Sequence, residues 1–342
     1  MNSRFWLFAV GFLLLLAWRG KIIQGFEGFK KPTNFPEPVY DFKSNTVTQE
    51  GFELGRKLFY EPRLSRNNTI SCGSCHIQNF AFTHHGHDIS HGIDDRLGTR
   101  NSPPIMNLAW SKVFFWDGGV FYLDLQPLVP ITTHAEMDER LSVVIEKLKK
   151  HPEYPGIFKK VFGSEEITSA KMMKALSQFM VMCISSNSKY DKVTRKEGAV
   201  FTPEEQKGYT IFKKNCATCH KEPLFTDDSF RNNGITPGLN NDMGRFMITL
   251  DSADAFKFKV PSLRNIEFTG PYMHDGRFYD LGQVIDHYRF NVEHTMNLDP
   301  LLDQNHRHGF QMTDEDKANV IAFLKTLSDK EFLLNPLLSE QQ

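Results

Sequence analysis

Apolar side chains recur at helical spacing in several separate stretches of this 342-residue chain. Residues three and four positions apart share one face of a helix, so these stretches predict amphipathic α-helices. They run over Gln49–Tyr60, Asp138–Lys150, Thr168–Ile184, Leu281–Phe290 and the segments that follow Thr202 and Thr313. No series of alternating apolar and polar residues predicts a strand. The pattern therefore indicates a mainly α protein.

Two long stretches, residues 71–135 and 221–270, lack this periodicity and are rich in Gly, Pro and aromatic residues. Loops of this length inside a compact domain usually have a function. We expect them to wrap bound groups. A polar stretch over residues 185–201 predicts a boundary between two domains, which suits a chain of this length.

The amino terminus carries an export signal. Arg4 precedes an apolar run from Phe5 to Trp18, which is short for a full membrane span and typical of a signal peptide. No clear cleavage site follows, so an uncleaved anchor stays an alternative. We predict a signal peptide or membrane anchor over residues 1–20 and a Pro- and Gly-rich linker over residues 21–45.

Charge and cysteine content narrow the class of protein. The net charge is −1, which indicates no nucleic-acid partner. Of the five cysteines, Cys183 lies at helical spacing from apolar residues and is expected in the core. The other four form two C-x-x-C-H motifs, Cys72–His76 and Cys216–His220.

C-x-x-C-H is the attachment signature of a c-type haem. Cys72, Cys75, Cys216 and Cys219 would form thioethers, and His76 and His220 would be the proximal iron ligands. A disulfide or a Cys/His zinc site is the alternative, but neither motif has the usual second ligand pair nearby. We predict two covalent haem c groups, one in an N-terminal domain (residues 46–195) and one in a C-terminal domain (residues 196–335). Covalent haem also fits export to the periplasm.

The chain resembles the bacterial di-haem cytochrome c peroxidases and the methylamine-utilisation protein MauG over roughly residues 48–330. The resemblance rests on blocks that occur in family order: Leu58–Ser65, Arg100–Pro103, Phe115–Gly118, Glu136–Met137, Val260–Asn265 and Gly270–Gly276. It implies two cytochrome c-like α-helical domains. It also implies that the N-terminal haem reacts with hydrogen peroxide and that the C-terminal haem receives electrons from a small donor protein, a cytochrome c or a cupredoxin.

The resemblance also implies roles for residues near the first haem. Glu136 matches the catalytic glutamate, with Gln126 and Pro130 beside it, and a carboxyl group there can accept and return a proton. Read alone, Glu136 is a common helix-start residue. His91 matches a resting-state sixth ligand of the first haem, with His85 and His87 as competitors and a solvated loop as the alternative.

Further assignments come from the same resemblance. Trp116 matches the tryptophan between the two haems, although a core aromatic is the simpler interpretation. Asn101, Thr269 and Pro271 match a calcium site between the domains, built from oxygen ligands. Arg100 and Arg264 are candidates for pairing with haem propionates, because arginine binds carboxylates in a bidentate manner.

The sixth ligand of the second haem divides the family. Peroxidases of the best-known type have Met at the position that corresponds to Tyr288. MauG has Tyr there, as this chain does. Thioether sulfur raises the haem potential, whereas a phenolate favours ferric iron. Met296 and His287 are the alternative ligands, and Tyr288 would then be an ordinary helix aromatic.

We predict a periplasmic di-haem peroxidase that reduces hydrogen peroxide to water. A MauG-like oxidase of a protein side chain and a non-catalytic electron-transfer cytochrome are the alternatives. Anchoring to the inner membrane and formation of a homodimer stay open.

Overall fold

The computed structural model describes residues 26–341 apart from 239, 305 and 306. In this part of the chain the α-helices are α1 (Gln49–Phe59), α2 (Cys72–Cys75), α3 (Leu128–Thr132), α4 (Leu141–Lys150), α5 (Tyr154–Phe162), α6 (Ser169–Met182), α7 (Lys189–Thr194), α8 (Pro203–Asn215), α9 (Phe246–Thr249), α10 (Leu281–Phe290), α11 (Asp314–Lys325) and α12 (Lys330–Leu333). Short 3₁₀ turns interrupt the loops at Pro62–Leu64, Gln78–Phe80, Ile93–Asp95, Leu108–Trp110, Leu123–Leu125 and Ser252–Asp254.

Strands are few and short. β1 (Phe230–Arg231) pairs antiparallel with β2 (Phe258–Lys259), with Phe230 opposite Lys259. β3 (Asp303–Gln304) pairs antiparallel with β4 (Arg307–His308). The mainly α class predicted from the hydrophobic pattern is confirmed.

Most helix boundaries agree with the predicted ones to within two residues, because the capping residues are present. Thr202 accepts a hydrogen bond from the backbone of Glu205, whose side chain completes the capping box. The exception is α4, which begins at Leu141 and not at Asp138. Asp138 has a positive φ of 51°, and its carboxylate accepts hydrogen bonds from Arg66 and Arg96, so its backbone cannot start the helix.

In the first half of the chain, α1 packs against α6. A Cβ atom on Gly55 would lie 1.9 Å from the Ala175 carbonyl oxygen, so only glycine permits this approach of the two backbones. Phe52, Leu58 and Phe179 fill the contact and are almost completely buried. The first C-x-x-C-H motif follows α1, next to this helix pair.

The second half repeats the arrangement with α8 and α11. A Cβ atom on Gly208 would lie 1.9 Å from the Asn319 carbonyl oxygen. Phe212 and Phe323 are fully buried at this crossing. The second C-x-x-C-H motif follows α8 directly, because Cys216 is the C-cap of that helix. Each half thus places its motif at the end of a tightly crossed helix pair.

The described part of the predicted linker, residues 26–45, is packed against both halves. Phe35 is 4% exposed, and the Trp110 indole nitrogen donates to the Pro36 carbonyl at 2.8 Å. The Phe35 ring centroid also lies 4.6 Å from the guanidinium carbon of Arg264 in the second half. The segment therefore contributes to the fold although its Pro-rich composition suggested a simple connector.

The carboxyl-terminal segment returns to the first half. Phe332 and Leu338 belong to the first hydrophobic core, and the Phe332 ring lies 5.8 Å from the ring of Phe82. The Tyr60 hydroxyl donates to the Leu338 carbonyl, and Gln78 donates to the Asn335 carbonyl. The predicted signal peptide or anchor, residues 1–20, lies outside the described residues. Of the helices in residues 26–341, none has the length and apolar character needed to cross a membrane.

We expect Phe332→Ala to lower the free energy of unfolding by about 3–5 kcal/mol, because it removes a buried aromatic ring from the first core. The side chain is 3% exposed. Guanidinium titration followed by circular dichroism measures the change. The matched control is Leu334→Ala, whose side chain is 68% exposed. Equal effects for the two variants would contradict the packing of this segment on the first core.

Candidate active site

The first C-x-x-C-H motif forms the one-turn helix α2. The side chains of Ser71 and Ser74 form a capping box at its amino end. His76 ends the helix, and its Nδ1 donates to the Phe82 carbonyl at 2.6 Å. Among the described residues, none forms a hydrogen bond with the Nε2 atom of His76. That nitrogen is therefore available as a metal ligand. Burial lowers the pKa of His76, which favours the neutral imidazole that a metal binds.

In the second motif, the Nδ1 atom of the histidine likewise faces backbone carbonyls, here two of them. The Nδ1 atom of His220 lies 3.2 Å from the Phe225 carbonyl and 3.1 Å from the Pro261 carbonyl. Ligating histidines commonly donate their second ring nitrogen to a backbone carbonyl, which fixes the ring orientation. Both histidines therefore have the geometry expected of proximal haem ligands.

The thiols of both motifs are free and not joined as disulfides. Burial raises the pKa of Cys72 and Cys216 to about 12 and that of Cys75 and Cys219 to about 11. No group of three or more His, Cys, Asp or Glu side chains in the described ranges is arranged to hold a metal ion. The donor set of two thiols and one oriented imidazole fits a covalent haem better than the zinc site or disulfide considered from sequence.

A cavity of about 800 Å³ opens beside the first motif. Its lining joins the residues predicted for the first haem site: Cys72, Cys75, His76, His91, Trp116, Gln126, Pro130 and Glu136. Residues of the second half also line it, among them Pro261, whose carbonyl contacts His220. The cavity therefore extends from the first haem motif towards the second half of the chain.

Glu136 lines this cavity and is partly buried. Burial raises the pKa of its carboxyl group above the ordinary glutamate value. Its backbone carbonyl accepts from Ile93 at 2.7 Å. A Cβ atom on Gly92 would lie 2.0 Å from the Ala135 carbonyl oxygen, so glycine lets the His91 loop lie against the Glu136 loop.

The histidine-rich loop separates into different environments. His91 lines the cavity, its Nδ1 lies 3.0 Å from Asp95, and its carbonyl accepts from the Cys75 thiol. His85 stacks on Phe80 with a ring separation of 3.8 Å, and His87 packs on His84 at 4.2 Å. Neither His85 nor His87 lines the cavity. Of the three histidines considered from sequence, His91 alone is placed at the site.

Trp116 links the two halves. Its indole nitrogen donates to the Asn101 carbonyl at 2.8 Å, and its own carbonyl accepts from the backbone of Lys259 at 2.7 Å. Asn101 in turn donates its backbone N–H to the His274 carbonyl at 2.7 Å. Trp116 therefore lies between the domains.

The predicted calcium ligands are close in sequence to the residues of this junction. The side-chain nitrogen of Asn101 donates to the carbonyls of His87 and Asp88, which leaves its side-chain oxygen available as a ligand. Thr269 is buried and Pro271 follows a cis peptide bond with Gly270, a few residues before His274. Hard oxygen atoms of this kind suit calcium.

Tyr288 is partly buried next to the second motif. Burial raises the pKa of its hydroxyl to about 12, and the thiols of Cys216 and Cys219 are close enough to act on it electrostatically. Asn233 contacts the hydroxyl at 3.4 Å. The alternative ligand Met296 is 64% exposed, and the Nε2 atom of His287 lies 3.0 Å from the Asn233 carbonyl. The geometry therefore favours Tyr288 over both alternatives.

The suggested pairing of Arg264 with a haem propionate is wrong. Arg264 is fully buried and forms a bidentate pair with Asp191, with both N–O distances at 2.8 Å. Burial alone would raise the pKa of Asp191, but Arg264 holds it below its ordinary value. Arg100 also donates to Asp242 and Asp117, but it lines the cavity, so its pairing with a haem propionate stays a prediction. Sequence reasoning missed these carboxylates, because they are distant in the chain and belong to no motif.

The fold and the site define a class of protein: a two-domain, mainly helical cytochrome with a c-type haem motif at a crossed helix pair in each half. Comparison with known proteins narrows this class. A family model described as di-haem cytochrome c peroxidase matches residues 49–199, and one described as cytochrome c matches residues 205–328.

Relatives match most of the chain. It is 35% identical to methylamine utilization protein MauG of Methylorubrum extorquens over 308 residues, which cover 87% of this chain and 83% of the relative. It is 33% identical to cytochrome c551 peroxidase of Nitrosomonas europaea, with 85% and 84% covered. A solved MauG-like protein associated with microbial copper homeostasis matches with a TM-score of 0.81 and 31% identity, over 91% of this chain and 98% of that one. The chain belongs to the di-haem cytochrome c peroxidase and MauG family, whose members carry two c-type haems.

We expect the mature protein to contain two haems per chain, neither extractable by acid-acetone, because both motifs are complete. Haem is measured as the pyridine haemochrome against protein concentration. The variant that carries both Cys216→Ser and Cys219→Ser should retain one covalent haem. One haem in the parent protein would contradict the assignment of the second motif.

Proposed function

We propose that this protein is a peroxidase that reduces hydrogen peroxide to two water molecules, with two electrons supplied by a small donor protein, a cytochrome c or a cupredoxin. The observation that carries the proposal is the cavity that is lined both by the first haem motif and by Glu136, whose carboxyl group has a pKa raised by burial. Relatives named cytochrome c peroxidases, which match most of the chain, support it. A non-catalytic electron carrier has no need of a carboxyl group beside its haem pocket.

The proton chemistry falls to Glu136. Cleavage of peroxide needs a base that takes a proton from one oxygen and an acid that returns it to the other. Burial raises the pKa of Glu136, which brings the protonated form that must donate closer in free energy to the carboxylate that must accept. Gln126 lines the same cavity and is proposed to orient peroxide or water by hydrogen bonding. Cys72, Cys75 and His76 would hold the haem, which would supply the iron for cleavage of the O–O bond.

Two further residues complete the proposed site. His91 is the proposed resting-state ligand of the first iron, because it is the loop histidine that lines the cavity. Trp116 is the proposed aromatic bridge between the haems, since its hydrogen bonds reach both halves. Asn101, Thr269 and Pro271 are proposed to hold one calcium ion at this junction, where it would fix the separation of the domains.

A second candidate function is oxidation of a protein side chain, as proposed from the resemblance to MauG. Tyr288 favours it, because a phenolate ligand stabilises ferric and higher oxidation states. Burial raises the pKa of Tyr288 to about 12, so a phenolate ligand there would need the positive charge of a bound iron. The relative named MauG, at 35% identity, also supports this second candidate function.

Export to the periplasm is proposed from the character of residues 1–20 and from the covalent haems. Anchoring of this segment to the inner membrane and formation of a homodimer stay predictions.

We expect Glu136→Gln to lower the rate constant for the reaction with peroxide by about 10²-fold or more, because the amide cannot accept the proton. The rate of the parent should fall as pH decreases through the raised pKa of Glu136, since the protonated carboxyl group is no base. Stopped-flow spectroscopy over a pH series measures both effects. Glu146→Gln, an exposed change on α4, is the control. A variant rate within a factor of about two of the parent would remove Glu136 from the mechanism.

We expect Tyr288→Phe to change the ferric spectrum of the second haem and to raise its potential, because it removes a hard oxygen ligand. Met296→Leu should leave both unchanged, since the Met296 side chain is 64% exposed. Optical and electron paramagnetic resonance spectra of the two variants test this. The opposite result, a change in Met296→Leu alone, would assign the ligand to Met296 and strengthen the peroxidase proposal.

A further inference from the structure

The acceptors of the His220 ring come from two separate segments. The Phe225 carbonyl belongs to residues 222–226, which we call the proximal loop. The Pro261 carbonyl belongs to residues 260–264, which we call the brace. The ring nitrogen lies 3.2 Å and 3.1 Å from these two oxygens, so its hydrogen bond depends on how the two segments are held together.

The brace is hydrogen-bonded to the proximal loop at three positions. The Thr226 hydroxyl donates to the Val260 carbonyl at 2.6 Å. The Ser262 hydroxyl donates to the Leu224 carbonyl at 2.6 Å. Arg264 donates to the Pro223 carbonyl from Nε at 3.0 Å and from Nη2 at 2.7 Å. These contacts flank Phe225 on both sides, so they define where its carbonyl lies.

Arg264 is the charged end of this brace. Its guanidinium is fully buried, is paired in a bidentate manner with Asp191, and packs 4.6 Å from the Phe35 ring centroid and 5.8 Å from that of Phe225. A buried ion pair is weak evidence for stability, because desolvation offsets much of the attraction. The planar fork of arginine does allow simultaneous, directed bonds to a carboxylate and a carbonyl. In the first half, by contrast, His76 has a single carbonyl acceptor at 2.6 Å.

We propose that Arg264, oriented by Asp191, is a positioning residue that sets the potential of the second haem by holding the carbonyl acceptors of His220. A hydrogen bond from Nδ1 to a carbonyl makes the imidazole a more basic ligand. A more basic ligand stabilises ferric over ferrous iron and lowers the potential. The inference rests on the proposed attachment of this haem at Cys216, Cys219 and His220.

The experiment compares variants of the full-length, haem-loaded protein. The main variant combines Arg264→Met with Asp191→Asn, which releases the Pro223 carbonyl, leaves no unpaired buried charge and preserves net charge. Ser262→Ala is a second variant that removes the hydroxyl contacts with the Leu224 carbonyl and the Arg264 backbone N–H and retains both members of the ion pair. Tyr154→Phe is the matched control, because it removes a buried hydrogen bond to a carboxylate, that of Glu61, in the first half.

Redox titration and ferric electron paramagnetic resonance spectra of the second haem are the readouts. We expect the double variant to raise the potential, with a change of about tenfold in the ferric–ferrous equilibrium constant, or about 59 mV for one electron. Ser262→Ala should shift the potential in the same direction by less. Tyr154→Phe should leave it unchanged.

An unchanged potential and spectrum in the double variant with two haems bound would overturn the inference. If the double variant does not fold, an unchanged potential in Ser262→Ala overturns it equally. A shift of the same size in Tyr154→Phe would also overturn it, because a general loosening of the fold would then explain the result. Two measurements on the parent protein distinguish failure of this inference from failure of the proposed function. One haem per chain would refute the attachment of the second haem. Peroxide turnover is measured independently.

Discussion

The structure depends on a hydrogen bond between an imidazole nitrogen and a backbone carbonyl, made once in each half. A histidine that ligates iron must present one ring nitrogen and have the other fixed. His76 meets this requirement through Phe82, and His220 meets it through Phe225 and Pro261. The chain must therefore return to each motif shortly after leaving it, and the long loops without helical periodicity do this.

The two halves are joined by buried polar contacts as well as by apolar packing. Asn265, which follows Arg264, is fully buried and donates to Ser185 at 2.9 Å. Its side-chain oxygen accepts from the backbone of Asp329, whose carboxylate accepts from Ser185. Polar groups removed from water must all be paired, so such a network tolerates few alternative arrangements of the domains. The same short block of sequence thus contacts the second proximal histidine, the domain boundary and the cavity.

Peroxide chemistry and side-chain oxidation make different demands on the two haem sites. The Glu136 cavity, with a carboxyl group whose pKa is raised by burial, suits proton transfer to and from peroxide in either case. Tyr288, the proposed ligand of the second iron, concerns the choice between the two reactions. A hard oxygen ligand disfavours ferrous iron and hence electron storage. The features of the first site therefore support peroxide activation, and a Tyr288 ligand at the second site would influence how the oxidising equivalents are used.

The sequence by itself determined the local features: the helices, their caps, the two haem motifs and the class of protein. These follow from residues close together in the chain, as with Thr202 at the start of α8. The family pattern pointed to Glu136, Gln126 and Trp116, but only the fold brought them to one cavity. The tertiary structure alone decided the partner of Arg264, the packing of residues 26–45 and the return of Phe332 to the first core. The reason is physical: a bidentate ion pair or a buried ring depends on groups far apart in sequence, and neither leaves a periodic signal in the chain.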